Sequence, residues 1–147
     1  MSNVVMRINT PEVSQRSVIA ENVQKCLEKA EWNAAIVEME KLFAINQNPL
    51  VRVRIGDVRR KLNHHGAAIR EYVRAAELFA AEGFVAKAVA QYKLVVRLDS
   101  SNEFARSMLN MLRATRTVAK LKREPIEYRI PQLSGTVIPR YSDDSNC

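Results

Sequence analysis

The chain has 147 residues, 47% of them hydrophobic and only 6% aromatic, with a net charge of +7. Such a length buries a core without covalent staples, and two cysteines, Cys26 and Cys147, are too few for a disulfide framework, so a reducing compartment is expected. No apolar run nears the ~18 residues that cross a bilayer, and the start MSNVVMRINTPEV lacks a signal-type apolar stretch; the expectation is a soluble, cytoplasmic protein with no membrane insertion.

Residues 1–10 read as an N-terminal arm, 11–123 as a helical domain and 124–147 as an extended tail. Thr10-Pro11 opens a first helix, with Ile19, Val23, Leu27 and Ala30 on one face at helical spacing. Asn33 is placed to cap a second helix carrying Ile36, Met39, Leu42 and Phe43. Asn48-Pro49 opens a third, whose core face is Val51, Ile55, Val58 and Leu62. After a turn at Asn63–Gly66, a fourth carries Ile69, Tyr72, Ala75, Ala76 and Phe79, and Gly83 is placed to end it in the left-handed conformation. A fifth carries Val85, Ala88, Val89, Tyr92, Val95 and Val96. Ser100 and Glu103 form a capping box for a sixth, with Phe104, Met108, Met111, Leu112, Thr115 and Val118 inward. Pro125 cannot continue that helix, and beyond it Ile126, Tyr128 and Ile130 alternate with Glu127 and Arg129. An alternating extended segment suits a groove, so residues 126–141 are expected to strap along the protein's own helices or a neighbour's. The fold class is all-α: about six helices in antiparallel hairpins, with an extended tail.

One phrase recurs along the chain. AIREY at Ala68–Tyr72 echoes AIVEM at Ala35–Met39 and AVAQY at Ala88–Tyr92, at intervals of 33 and 20 residues. A helix–turn–helix period near 33–34 residues resembles the tetratricopeptide-repeat family. In the best copy, Pro49 to Glu82, Ile55-Gly56 match the family's large–small pair, and Ala68, Tyr72 and Ala75 its small, aromatic and small positions. Residues with little side chain at 56 and 68 let paired helices press together while Tyr72 fills the gap beside them. The resemblance implies a short α-solenoid. The shorter interval leaves the fourth helix open to two roles, second helix of one hairpin or first of the next; three hairpins pairing the helices in order is the preferred reading.

Catalytic signatures are absent from the sequence. His64-His65 sit in a turn with no ligand at metal spacing, Cys26 lies on an inner stripe, and there is no glycine-rich phosphate loop, carboxylate pair or nucleophile with a base. The chain reads as no enzyme, with no cofactor and no metal.

The charge is more informative. Residues 49–98 hold ten basic and four acidic side chains, whereas residues 1–48 hold five and six. Helical projection of the third helix puts Arg52 and Arg59 on one shoulder of its core arc and Arg54 and Lys61 on the other, leaving Leu50, Val53, Asp57 and Arg60 outward. Outward aliphatic residues mark interaction surfaces. In the family the first helix of each hairpin lines a concave groove, so Leu50, Val53, Arg54, Asp57, Arg60, Lys61, Arg70 and Arg74 are the expected partner-binding residues. The carboxylate clamp of some family members is matched by Arg70 and Arg74 only if the fourth helix is a first helix; Ala20 and Gln24 stand where it would want Lys and Asn.

The stretch AELFAAEGFVAKAVAQYKLVVRLDSSN resembles bacterial adaptors of signalling and surface machinery, which dock small GTPases, polarity factors or secretion components. The expectation is therefore a protein-binding adaptor for an acidic or amphipathic segment. The alternatives are a secretion chaperone and an RNA-binding helical repeat. Nucleic acid is disfavoured, because the chain lacks repeating base-reading polar pairs and has few aromatics for stacking.

Overall fold

The computed structural model describes residues 11–123, which form six α-helices and, among the described residues, no strand. They are α1 (Pro11–Glu28), α2 (Trp32–Ile45), α3 (Pro49–Lys61), α4 (His65–Ala81), α5 (Val85–Leu98) and α6 (Glu103–Arg123). Substantial packing runs between sequence neighbours: each helix turns back on the one before it, as in a helical-repeat solenoid. The packing of α4 is extensive against both α3 and α5, while α2 meets α3 and α5 meets α6 over less surface.

The echo in the sequence is also an echo in the backbone. Three turns end in a left-handed residue, Ala30 (φ 57°), Asn63 (φ 60°) and Gly83 (φ 82°). In each, the next amide reaches back to the carbonyl five residues earlier: Glu31 to Cys26 at 2.8 Å, His64 to Arg59 at 2.9 Å and Phe84 to Phe79 at 2.8 Å. These are Schellman closures, which satisfy the last carbonyls of a helix and reverse the chain. Their spacing, 33 and then 20 residues, is that of the repeated phrase. Helix α4 is thus shared. It closes one hairpin against α3 and opens another against α5.

The α2–α3 and α5–α6 junctions differ from these. There the C-cap residues Asn46 (φ −138°) and Asp99 (φ −140°) are extended, and an asparagine starts the next helix. Asn48 accepts from the Leu50 amide at 2.9 Å and Asn102 from the Ala105 amide at 2.9 Å. The expected cap at Ser100 is therefore corrected: Asn102 takes the role, and Asp99 holds the Ser101 amide and hydroxyl at 3.0 and 2.6 Å. The expected cap at Asn33 is corrected too, since α2 starts at Trp32 behind Glu31, with no side-chain cap bond. Ala30 is not on the inner stripe of α1 but exposed in the turn, and His65 is the first residue of α4. Thr10 and the tail after Arg123 lie outside the described residues.

Two apolar clusters form the core. The first joins Val23 of α1, Ala35 and Met39 of α2, and Val51, Ile55 and Val58 of α3, with Cys26, Leu27 and Trp32 half-buried around it. The second joins α4, α5 and α6 through Tyr72, Phe79, Tyr92, Val95, Leu109 and Leu112 among others. Four of the five following helices, all but α3, bury an alanine and a large residue four later: Ala35/Met39, Ala68/Tyr72, Ala88/Tyr92 and, in α6, Ala105/Leu109. The fourth instance, ARSML, was not among the repeats seen in the sequence. It turns α6 so that Ala105, Leu109 and Leu112 are buried, whereas Phe104, Met111 and Val118, expected inside, are 51%, 53% and 52% exposed.

Tyr72 and Tyr92 occupy equivalent places with unequal polar fates. The Tyr72 hydroxyl donates to Asp57 at 2.6 Å. Shifting by 20 residues places Glu77 opposite Tyr92, but Glu77 is engaged by Arg74 at 3.5 Å, and the buried Tyr92 hydroxyl has no partner among the described residues. Burial above all, and then the bond to Asp57, pushes the Tyr72 phenol up; burial pushes Tyr92 up as well. Tyr72→Phe should therefore cost about 1.5–3 kcal/mol, toward the lower end because Asp57 keeps access to water. Tyr92→Phe should instead gain on the order of 1 kcal/mol by removing an unpaired buried hydroxyl. The pH sign follows from the raised folded-state phenol. Its contribution is whole below about pH 10, where an unfolded tyrosine ionises, and is lost as pH rises above that value. Urea titrations at pH 8 and pH 11 check both points: the wild-type chain should lose more stability at pH 11 than Tyr72→Phe does.

Candidate partner-binding surface

The third helix was expected to present Arg54, Arg60 and Lys61 to a partner; its other two arginines, Arg52 and Arg59, are used inside the protein. Arg52 spans three helices. Its guanidinium hydrogen-bonds Glu40 of α2 at 2.9 and 3.0 Å and Glu71 of α4 at 3.2 Å, and it lies over the Phe43 ring at 4.0 Å. Arg59 reaches the other oxygen of Glu71 at 3.6 Å. These shoulder residues tie α3 to its neighbours through a half-buried network in which one carboxylate faces two guanidiniums.

Among the expected binding residues, four face inward or are otherwise engaged. Val53 is half-buried against the α4–α6 cluster, which corrects its outward placement. Asp57 accepts the Tyr72 hydroxyl, which corrects its outward placement as well. Lys61 caps the Trp32 ring, its ammonium 4.7 Å from the centroid, and shields the start of α2. Arg74 pairs with Glu77 on the exposed face of α4. Gln24, at a clamp position, donates to Glu28 within its own helix at 2.9 Å.

What remains free for recognition is Leu50, Arg54, Arg60 and Arg70, all exposed, the three arginines without ion-pair partners among the described residues. The structure brings two of these together with a residue of α1. A cleft of about 190 Å³ opens between α1, the end of α2 and the start of α3, with Val23, Met39, Leu42 and Val51 below and Arg16, Leu50 and Arg54 around it. Arg60 and Arg70 are outside it. Leu50 is 50% exposed, held there because Asn48 and Pro49 start α3 immediately before it. Arg16 was not among the expected residues; its only sequence signal is a cation on the first helix of the first hairpin.

The cleft can do little chemically. Its apolar floor takes an aliphatic or aromatic side chain and its two guanidiniums take carboxylates, with no titratable base or nucleophile lining it. Among the described residues no group of three or more His, Cys, Asp or Glu is placed to hold a metal ion. No described helix is long and apolar enough to cross a membrane. Compared with known proteins, the chain matches no protein-family model and no curated protein.

Proposed function

We propose that the chain is a protein–protein interaction adaptor of tetratricopeptide type that seats an acidic, amphipathic segment of a partner protein between its first and third helices. The observation that supports this reading is the cleft of α1 and α3, where an apolar floor meets the guanidiniums of Arg16 and Arg54. An apolar anchor entering the floor supplies affinity, and carboxylates on the segment meeting the two arginines supply orientation and association rate. The likeness of the middle of the chain to bacterial adaptors supports a cytoplasmic place in signalling, polarity or surface machinery, with a small GTPase or polarity factor as the kind of partner. No catalysis, cofactor or nucleic-acid ligand is assigned.

Selection from a displayed peptide library tests the reading. The wild-type chain should enrich peptides that interleave acidic and large apolar residues. Arg16→Glu with Arg54→Glu should weaken the selected peptides at least about tenfold, which is about 1.4 kcal/mol, with helicity by circular dichroism unchanged. Unchanged affinity in the double reversal, or retention of random RNA with a steep fall in salt in place of peptides, sinks the assignment.

A further inference from the structure

Helix α6 carries more apolar surface than α5 covers. Its buried residues end at Leu112, and every side chain from Arg113 to Leu121 is exposed. A half-helix without tertiary packing is marginal in water, because helices of this kind owe their stability to a buried face. The surface left open on α6 is ordered. Phe104, Ser107, Met111, Ala114, Val118 and Leu121 follow one another at alternating steps of three and four, and all are exposed. A 3.5-residue spacing is that of a seam along which two helices pack knobs into holes.

We propose that this seam pairs with the same seam of a second copy, running antiparallel, so that the chain dimerises through α6. Three observations carry the assignment. The first is the alternation of size. A two-fold axis between Met111 and Ala114 sets Met111 opposite the partner's Ala114, Val118 opposite the partner's Ser107 and Phe104 opposite the partner's Leu121. Large meets small in the inner layers, as close packing requires. A parallel pair would crowd methionine on methionine and leave serine and alanine facing gaps. The antiparallel pair also lays the unsupported half of each helix on the half that α5 holds in its partner, and it opposes the two helix dipoles.

The second is charge. At +7 the chain repels its own copy wherever its cations meet. They do not meet here. Met108 and Thr115 flank the seam on one side and Asn110 and Thr117 on the other, all uncharged. Arg106, Arg113 and Arg116 project from the far side of the helix, roughly 120° or more from the middle of the seam at about 100° per residue. An acidic segment would find no cation in this seam, whereas an identical neutral one fits it. The third is area. Phe104, Met111, Val118 and Leu121 are each at least half-exposed and together offer on the order of 400 Å² per copy. A pair would bury about 800 Å² from these alone, and the smaller seam residues bring it to the ~1,000 Å² of a specific interface. A dimer of that size depends on concentration. No seam residue lines the Arg16–Arg54 cleft, so the dimer carries that cleft twice.

Sedimentation of the full chain from low to high micromolar concentration tests the proposal. The mass should rise from that of one chain, 16.7 kDa, toward that of two. Met111→Lys, at an exposed position, should weaken association at least tenfold and leave the melting of the dilute protein unchanged. Added salt should leave the dimer as tight or tighten it, because the seam holds no ion pair and screening relieves the repulsion of like charges. Direction is read by cross-linking. With Cys147→Ser in both chains, a mixture of Ser107→Cys and Val118→Cys should oxidise to a covalent dimer several-fold faster than either variant alone. A chain that stays monomeric throughout overturns the proposal, and that result needs no variant to fold. So does a dimer that survives Met111→Lys or weakens with salt, which places the contact elsewhere, or a Ser107→Cys chain that cross-links readily to itself, which makes the pair parallel.

Discussion

Tyr72→Ala should lower the stability of the helical body by about 3–5 kcal/mol, the cost of truncating a large core aromatic. The ring has no exposed surface, and it lies at the contact of α3 and α4, the most extensive helix pairing in the body. Three independent contributions are lost together. The ring's apolar area goes, the hydroxyl's bond to Asp57 at 2.6 Å goes, and so does the ring's close packing against Gly56, which has no side chain of its own to fill the space. The helices cannot collapse into that space, because Arg52 and Arg59 of α3 are tied to Glu71 of α4 beside it. Urea unfolding should show a lower midpoint with an unchanged slope, and a melting temperature lower by roughly 4 °C per kcal/mol for a body of this size. A loss below about 1 kcal/mol would show that the site relaxes freely, contrary to a rigid α3–α4 contact.

Gly56→Ala should also destabilise, by about 1–3 kcal/mol, although alanine is the better helix former by about 1 kcal/mol. A Cβ built on Gly56 meets Tyr72 Cε1 at 2.8 Å and Cδ1 at 3.0 Å. The ring cannot give way as the tip of a flexible chain would, since its hydroxyl is fastened to Asp57 next to Gly56. Overpacking therefore outweighs propensity. The argument makes a sharper claim about the pair. In a Tyr72→Ala background the same Gly56→Ala change should gain up to about 1 kcal/mol, because the obstruction is gone and only the propensity remains. A double-mutant cycle measures this directly. Equal effects of Gly56→Ala in both backgrounds would mean that glycine is tolerated there without being required.

The helices themselves were legible because their signals are local. Pro49 behind Asn48, the glycine at 83, and the 3.6-residue spacing of Val51, Ile55 and Val58 each act within a turn or two of chain, and α3, α4 and α5 stand where those signals place them. The repeat was legible for the same reason: alanine and a large residue four later is what a helix needs for close approach to its predecessor. Its two intervals follow from the turns at Ala30, Asn63 and Gly83. Only the glycine announced itself, since an alanine or asparagine with positive φ is held there by the hydrogen bonds of the closed hairpin and not by its own preference.

The candidate site divides along the same line. That the third helix carries a basic and apolar surface was determined by its residues alone. Which cations stay free of ion pairs among the described residues was decided by tertiary structure: Glu40 and Glu71 draw in Arg52 and Arg59, and Trp32 takes Lys61, while Arg54 is left beside Arg16 on another helix. Helix α6 shows the division most plainly. Its sequence sets out an apolar arc broad enough for two neighbours, and periodicity cannot say which half meets α5. Burial of Ala105 in one cluster with Tyr92 and Val95 goes with that choice, because a side chain that small allows close approach of helices, and it leaves Met111 and Val118 turned outward.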